Sequence, residues 1–361
     1  MNILWDLRLF SFGYGSRGAG RFTEALTEAI IDCNDDFRII AWGDKTKVHN
    51  SILDNKLEWV PYRISDWKSD LFTIPALILR YKIDLFHYWI ALGPKWQIGL
   101  GLFHPCATVA TLYDPGVEQW DIPFLKAVKK SRYWKMQKIL IKSTDRFICI
   151  SNATLSGFTG IFPSLKDRMQ TIYMPLTGSF CTRENREPYL ITLGGSIHKN
   201  CARVVKAFSM IKNSFPNYKL LILGEIDRKE ENLENVPENV LFEENMDSYH
   251  HHLTHASGLL FFSLYEGLGI PPLEAMSYGC PVAASRIPSI EETCGEAARL
   301  ADPLQTEAIA DAISDLIINN DLWAARSMEG ASKYRELSKN SGTNCIEMYR
   351  ELLCNRKHAV L

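Results

Sequence analysis

Residues 263–282 read Ser-Leu-Tyr-Glu-Gly-Leu-Gly-Ile-Pro-Pro-Leu-Glu-Ala-Met-Ser-Tyr-Gly-Cys-Pro-Val, and no other stretch constrains this 361-residue chain as strongly. The residues just before it, 258–262, are apolar and read as a buried strand. Residues 273–278 read as a short helix ended by Gly279. The segment is therefore strand, glycine turn, helix. Gly267 and Gly269 let the backbone turn tightly and come close to a ligand. Pro271 and Pro272 suit a first helical turn, where a missing N–H is not needed. The amides around Leu268, Gly269 and Ile270, with the positive end of the helix dipole, form a seat for an anion, and a phosphate group is its natural guest. Two carboxylates frame the turn. Glu266 precedes it, and Glu274 is expected in the first helical turn, beside the anion but facing neutral hydroxyls such as those of a ribose.

The rest of the chain repeats this alternation. Apolar strand candidates fall at 2–5, 37–42, 83–88, 107–112 and 146–150. They restart after Pro188 at 189–193, 218–223, 258–262 and 281–284. Helical spacing of apolar residues falls between them at 22–31 and 204–211, and again from Thr306 onward. Strands alternating with helices predict α/β architecture with doubly wound parallel sheets. The expected division is 1–180 and 181–361, with a linker near 175–188 and the last helix a candidate to cross back to the first domain.

The 263–282 segment resembles the E-x-x-x-x-x-x-x-E signature of retaining, nucleotide-sugar-dependent glycosyltransferases with the GT-B fold. Its pattern is similar to that of the bacterial mannosyl- and glucosyltransferases of surface-polysaccharide assembly (glycosyltransferase family four). Leu268 and Ile270 replace the family's usual Phe and Leu. The resemblance covers most of the chain and is strongest from about residue 190 to residue 303. It implies two Rossmann-like domains facing across a cleft, an acceptor domain followed by a donor domain. It also implies a hexose, with mannose the leading guess, moved from a nucleotide-diphosphate sugar to a glycan or lipid-linked acceptor. Two other readings stay open: a GT-B-fold sugar-nucleotide 2-epimerase, and a non-catalytic nucleotide-sugar-binding subunit.

A departing diphosphate gains negative charge, so fixed cations and amide donors aimed at it lower the barrier. Residues 194–200, Gly-Gly-Ser-Ile-His-Lys-Asn, resemble the family turn whose lysine contacts the diphosphate, and this gives Lys199 that role. In the resemblance many relatives carry an arginine at the places held here by Gly195 and His198, so one of two cations is missing, and the substitutes are a protonated His198, or Arg17 or Arg21 reaching across. The resemblance gives Glu274 the ribose and places Glu266, with Lys199 a catalytic candidate, near the donor sugar, where supporting the transition state, holding a sugar hydroxyl and serving as a nucleophile all stay open. In the first half, residues 12–21 form a glycine-rich loop with Gly13, Gly15 and Arg17 as donor-side candidates. The loop lacks the full dinucleotide fingerprint. Residues 84–89 resemble a family segment that places His87 on the acceptor side, entered here among the catalytic candidates. Residues 111–114 match a T-x-H-D turn except that Tyr113 replaces the histidine. Tyr113 can still donate a hydrogen bond, and Asp114 is an acceptor-side candidate.

Bulk properties narrow the alternatives. A net charge of −2 argues against a nucleic-acid binder. The nine cysteines form no C-x-x-C pair, the histidines at 250, 251, 252 and 255 are poorly spaced for a metal, and no D-x-D motif is present. No metal and no cofactor beyond the donor substrate are expected. With no signal peptide and no apolar span, the expected location is the cytoplasm. Residues 124–146 interleave eight basic residues with aromatic and aliphatic ones, making this segment a candidate for peripheral contact with an anionic membrane.

Overall fold

The computed structural model describes residues 1–11, 18–33, 37–48, 53, 56–61, 67–90, 105–115, 138, 141–176 and 186–359. The chain divides into two compact units, one of Met1–Leu176 with Leu337–Leu361, the other of Thr177–Glu336.

The first unit holds strands β1 (Asn2–Asp6), β2 (Arg38–Gly43), β3 (Glu58–Pro61), β4 (Leu85–Ile90), β5 (Ala107–Leu112), β6 (Arg146–Cys149) and β7 (Met169–Thr171). They form one sheet in the order β3-β2-β1-β4-β5-β6-β7, and every pairing is parallel. Helices α1 (Arg8–Ser11), α2 (Gly18–Asp32), α3 (Trp67–Tyr81) and α4 (Asn152–Ile161) belong to the same unit. Every residue of β4 and β5 is buried, as a parallel strand covered on both faces requires. Helix α2 buries Phe22, Leu26 and Ile30, one residue per turn. It begins at Gly18, so the end of the glycine-rich stretch is helix. Helix α4 is capped by Ser151, whose hydroxyl accepts from the Thr154 N–H at 3.0 Å.

The second unit holds β8 (Glu187–Leu193), β9 (Lys219–Leu223), β10 (Val240–Glu243), β11 (Ala256–Phe261), β12 (Val282–Ser285) and β13 (Arg299–Ala301). The order is β10-β9-β8-β11-β12-β13, again all parallel. Its helices are α5 (Cys201–Met210), α6 (Tyr249–His255), α7 (Ile270–Ser277), α8 (Pro288–Thr293) and α9 (Thr306–Ile318). Val204 and Phe208 of α5 and Ile309, Ile313 and Leu316 of α9 share one core with Leu190, Leu220 and Leu260 of the sheet. Helix α10 (Asn320–Ser338) then leads to α11 (Ser341–Ala359), which packs on α2 in the first unit.

Each sheet is the doubly wound α/β architecture that the alternation of elements predicts. In each, the strand order reverses direction once, between β1 and β4 and between β8 and β11. In open parallel sheets, ligands bind in the crevice outside the carboxyl ends of the strands at such a reversal. Among the described residues no helix is long and apolar enough to cross a membrane. Of the basic 124–146 segment, only Lys138 and residues 141–146 are described, so its expected amphipathic helix lies outside the described residues.

Candidate functional site

The reversal point of the second sheet is formed by two turns, one leaving β8 at Leu193 and one leaving β11 at Phe261. They are the two segments the sequence singled out. The turn after β8 ends in a single helical turn over residues 197–199 and then in Asn200, a left-handed residue with φ of 62°. Asparagine tolerates that conformation better than most side chains. Asn200 fastens the turn to its surroundings: its side-chain amide donates to the carbonyls of Phe262 at 3.0 Å and Pro303 at 2.8 Å. The two turns are also joined by the backbone, where the Leu264 N–H donates to the His198 carbonyl at 2.7 Å.

This frame brings Lys199 and Glu266 together. Lys199 Nζ lies 2.7 Å from Glu266 Oε1, and the two side chains are only 20% and 16% exposed. Nζ also lies 4.8 Å from the centroid of the Phe261 ring. Burial opposes the charge on Glu266. Lys199, and after it His198, outweigh burial and hold the carboxyl below the usual glutamate range. His198 is half-buried. Its ring stacks on Tyr265 with centroids 4.6 Å apart, and its Nδ1 lies 2.6 Å from Ser196 Oγ. Gly195 is exposed at the same turn.

The turn after β11 closes at Gly269, which caps α7 with φ of 90° and ψ of 53°. A side chain there would be strained by the backbone alone, and a Cβ would also stand 2.3 Å from Ile290 Cδ1. Helix α7 starts at Ile270, three residues earlier than expected, with Pro271 and Pro272 in its first turn. This corrects the placement of Glu274, which stands in the second helical turn and not the first. The cause is the capping geometry: left-handed Gly269 opens the helix, and the prolines continue it without needing donors. They also remove two first-turn amides, so the N–H groups at the helix start belong to Gly269 and Ile270. Leu268 and Ile270 are buried, and Glu274 is half-buried.

The first unit treats its candidates differently. Gly13, Gly15 and Arg17 lie outside the described residues. His87 is 1% exposed. Its Nδ1 is 2.6 Å from the Tyr349 hydroxyl and its Nε2 is 2.8 Å from Thr111 Oγ1. Burial pushes its titration down to about 3, so the ring is neutral. Both ring nitrogens are engaged inside the core, so this geometry lends no support to the catalytic and acceptor-side role expected of His87. Tyr113 is 5% exposed and its hydroxyl meets Thr23 Oγ1 at 2.5 Å. The Tyr113 hydroxyl is thus engaged within the unit, with either hydroxyl able to be the donor. Asp114, beside it, is half-buried.

Three features had gone unread. Tyr265 was passed over because its partner, His198, is distant in sequence. Asn200 could have been noticed, since an Asn directly after a helical turn is a recurrent left-handed cap. At the end of β1, Arg8 and Asp6 form a buried two-point ion pair, with Nε–Oδ1 at 2.8 Å and NH2–Oδ2 at 2.7 Å, and the guanidinium lies 3.7 Å from the Trp42 ring centroid.

Comparison with known proteins agrees with this layout. Residues 182–336 match the family described as Glycosyl transferases group 1, and residues 16–175 match Glycosyltransferase Family 4. The chain is 34% identical to O-antigen chain mannosyltransferase B of Escherichia coli over 98 residues, 27% of this chain and 26% of that protein. That match spans about a quarter of the relative's length. Against O-antigen chain mannosyltransferase RfbU of Salmonella typhimurium the identity is 24% over 249 residues, 64% of this chain and 69% of that protein. Anabaena Alr3699/HepE, solved in complex with UDP and glucose, superposes with a TM-score of 0.70 at 15% identity, covering 97% of this chain and all of that one. With its first half matched by one of these families and its second half by the other, the chain belongs to the GT-B glycosyltransferases of group 1 and family 4.

Proposed function

We propose that the chain is a retaining hexosyltransferase that moves a hexose, mannose first among the candidates, from a nucleotide-diphosphate sugar to a polysaccharide or glycolipid acceptor in cell-surface glycan synthesis. The observation that carries this reading is the Lys199–Glu266 pair beside the Gly269 turn, at the reversal point of the second sheet. The O-antigen mannosyltransferase names of the curated relatives support the sugar and the pathway class.

In this reading the donor diphosphate sits against Lys199, His198, the Gly195 turn, and the amides around Leu268, Gly269 and Ile270. Glu274 accepts from the ribose hydroxyls. The bond that breaks joins the anomeric carbon to the diphosphate oxygen. The bond that forms joins the same carbon to the acceptor oxygen, on the face the diphosphate leaves. The acceptor's proton passes to the departing phosphate oxygen, so no protein nucleophile is needed and the anomeric configuration is retained. Lys199 and the helix start supply the positive field that a metal ion would otherwise bring. Glu266, ionised and paired to Lys199, keeps that cation aimed into the site. Residues 124–146 are the proposed membrane-facing segment.

A thermal-shift screen with UDP-, GDP-, ADP- and TDP-sugars tests the donor assignment, because a ligand of the folded state raises its apparent stability. One class should shift the melt, and the same donor should give product whose anomeric signal, read by NMR in the presence of chelator, matches that of the donor. An inverted product, or activity that requires a divalent ion, would refute the mechanism. Lys199→Ala should weaken nucleoside-diphosphate binding far more than nucleoside binding.

A further inference from the structure

His198 is held by contacts from both turns of the site. Its ring stacks on Tyr265 at 4.6 Å with planes 27° apart. Its Nδ1 lies 2.6 Å from Ser196 Oγ, and its carbonyl accepts from the Leu264 N–H at 2.7 Å. The charged residues of these two turns are Lys199 and Glu266, and the titratable Tyr265 phenol packs on the ring. Its charge is felt by Glu266, second only to that of Lys199 among the cations that keep this carboxylate ionised. The surroundings suit both protonation states. An imidazolium donates from Nδ1 to Ser196 Oγ and lies over the electron-rich face of Tyr265. A neutral ring accepts from the Ser196 hydroxyl instead. Histidine is the side chain whose ordinary titration falls in the neutral range.

We propose that His198, clamped by Tyr265 and Ser196, is a titratable second cation for the donor diphosphate, so that this chain binds its donor more tightly in mild acid than in mild base. Tyr265 is its positioning residue. The inference rests on reading the site as a diphosphate seat. Its sign follows from linkage. A diphosphate beside the imidazole makes it hold its proton more tightly, so binding takes up a proton. Affinity is greatest below the titration of His198 in the free protein. It falls between that point and the raised titration in the complex, and is level above. One unit of separation between the two titrations corresponds to about a tenfold change in affinity.

The test is isothermal titration of the full chain with GDP-mannose and UDP-glucose from about pH 5.5 to about pH 8.5, a range in which histidine titrates and a sugar diphosphate does not. Whichever donor binds should lose about tenfold in affinity across that range, one unit of linkage. His198→Arg should bind tightly with a flat profile, and His198→Gln weakly with a flat profile. Tyr265→Phe, which keeps the stacking ring, should keep the slope, whereas Tyr265→Leu should lose it. In NMR titrations the His198 ring resonance should move to a higher midpoint when donor is present, a readout that does not depend on any variant folding. A flat wild-type profile with firm binding, or a slope that survives in His198→Gln, would overturn the inference and leave the donor assignment standing. Failure of UDP-, GDP-, ADP- and TDP-sugars alike to bind at any pH would overturn the two together.

Discussion

Lys199 and Glu266 are each placed by the other. Glu266 is mostly buried, which by itself favours the neutral acid, and Lys199 is the first of the charges that reverse this preference. A carboxyl held below its unfolded value contributes stability that is present above that value, about 4.5, and is lost as pH falls through the folded one. Lys199→Met removes the leading cation and leaves burial dominant. The Glu266 carboxyl should then titrate above its unfolded value, and the sign should invert, with stability falling as pH rises through the carboxylate range. At neutral pH the variant should lose ~1–3 kcal/mol, the cost of a buried charged group left without its partner. Chemical denaturation at neutral and acid pH checks both parts. In Lys199→Met/Glu266→Gln the inversion should vanish. Equal acid dependence in wild type and Lys199→Met would show that the pair contributes nothing.

At the scale of elements, the turn after β11 depends on Gly269 for two separate reasons. Its φ of 90° strains any side chain, and a Cβ would meet Ile290 Cδ1 at 2.3 Å. Gly269→Ala should cost at least ~1–2 kcal/mol from backbone strain. Ile290→Val deletes the colliding methyl, so the double variant should be less damaged than the two single losses added together, while still carrying the φ cost. Thermal melts of the four proteins measure that coupling, and strict additivity would show that the methyl gives way freely. The turn also marks where sequence reading succeeds and fails. Gly269 and the two prolines announce a helix start, but only the left-handed cap places that start at Ile270 and moves Glu274 into the second turn. The interior strands β1, β2, β4, β5, β6, β8, β9, β11 and β12 show as apolar runs because both of their faces are covered. The four strands that went unread, β3, β7, β10 and β13, are the four sheet edges. They are only three or four residues long, too short to stand out as runs in the sequence. The residue types of the site were legible, since each turn carries its own motif. The pairing of Lys199 with Glu266, 67 residues apart, and the stacking of His198 on Tyr265 were not. Those contacts exist only once the strand order sets two distant turns side by side. The burial of His87 was not legible for the converse reason. In strands buried on both faces, alternation does not separate inward from outward residues, so a core histidine and a ligand-facing one look alike.

For the molecule as a whole, chain order and unit membership differ. The chain leaves the first unit after Leu176 and rejoins it at Leu337, so its last segment completes the unit that its first residues began. Helix α11 is fitted closely to that unit. A Cβ on Gly342 would stand 2.3 Å from the Ala29 carbonyl oxygen of α2. Cys345, Ile346, Tyr349 and Leu352 are buried along one stripe. The Tyr349 hydroxyl reaches His87 Nδ1, and Arg356 lies 3.4 Å from Asp145. Deleting Leu337–Leu361 should therefore injure the first unit and spare the second, whose core residues all precede it. Hydrogen exchange resolves the two. Amides of β4 and β5 should lose protection in the truncated chain, and those of β8, β9 and β11 should keep theirs. Tyr349→Phe should produce a smaller loss confined to the same strands, ~1–3 kcal/mol for an unpaired buried nitrogen. The acid response should change too. His87 titrates near 3 when folded against 6.5 unfolded. Its neutral state supports the fold above pH 6.5, and that support drains away as pH falls toward 3, by about 1.4 kcal/mol for each unit. Without α11 the ring meets water, its folded and unfolded titrations converge, and the first unit should lose this part of its acid sensitivity. Uniform loss of protection in both sheets after the deletion would mean that α11 supports the whole chain and not the first unit alone.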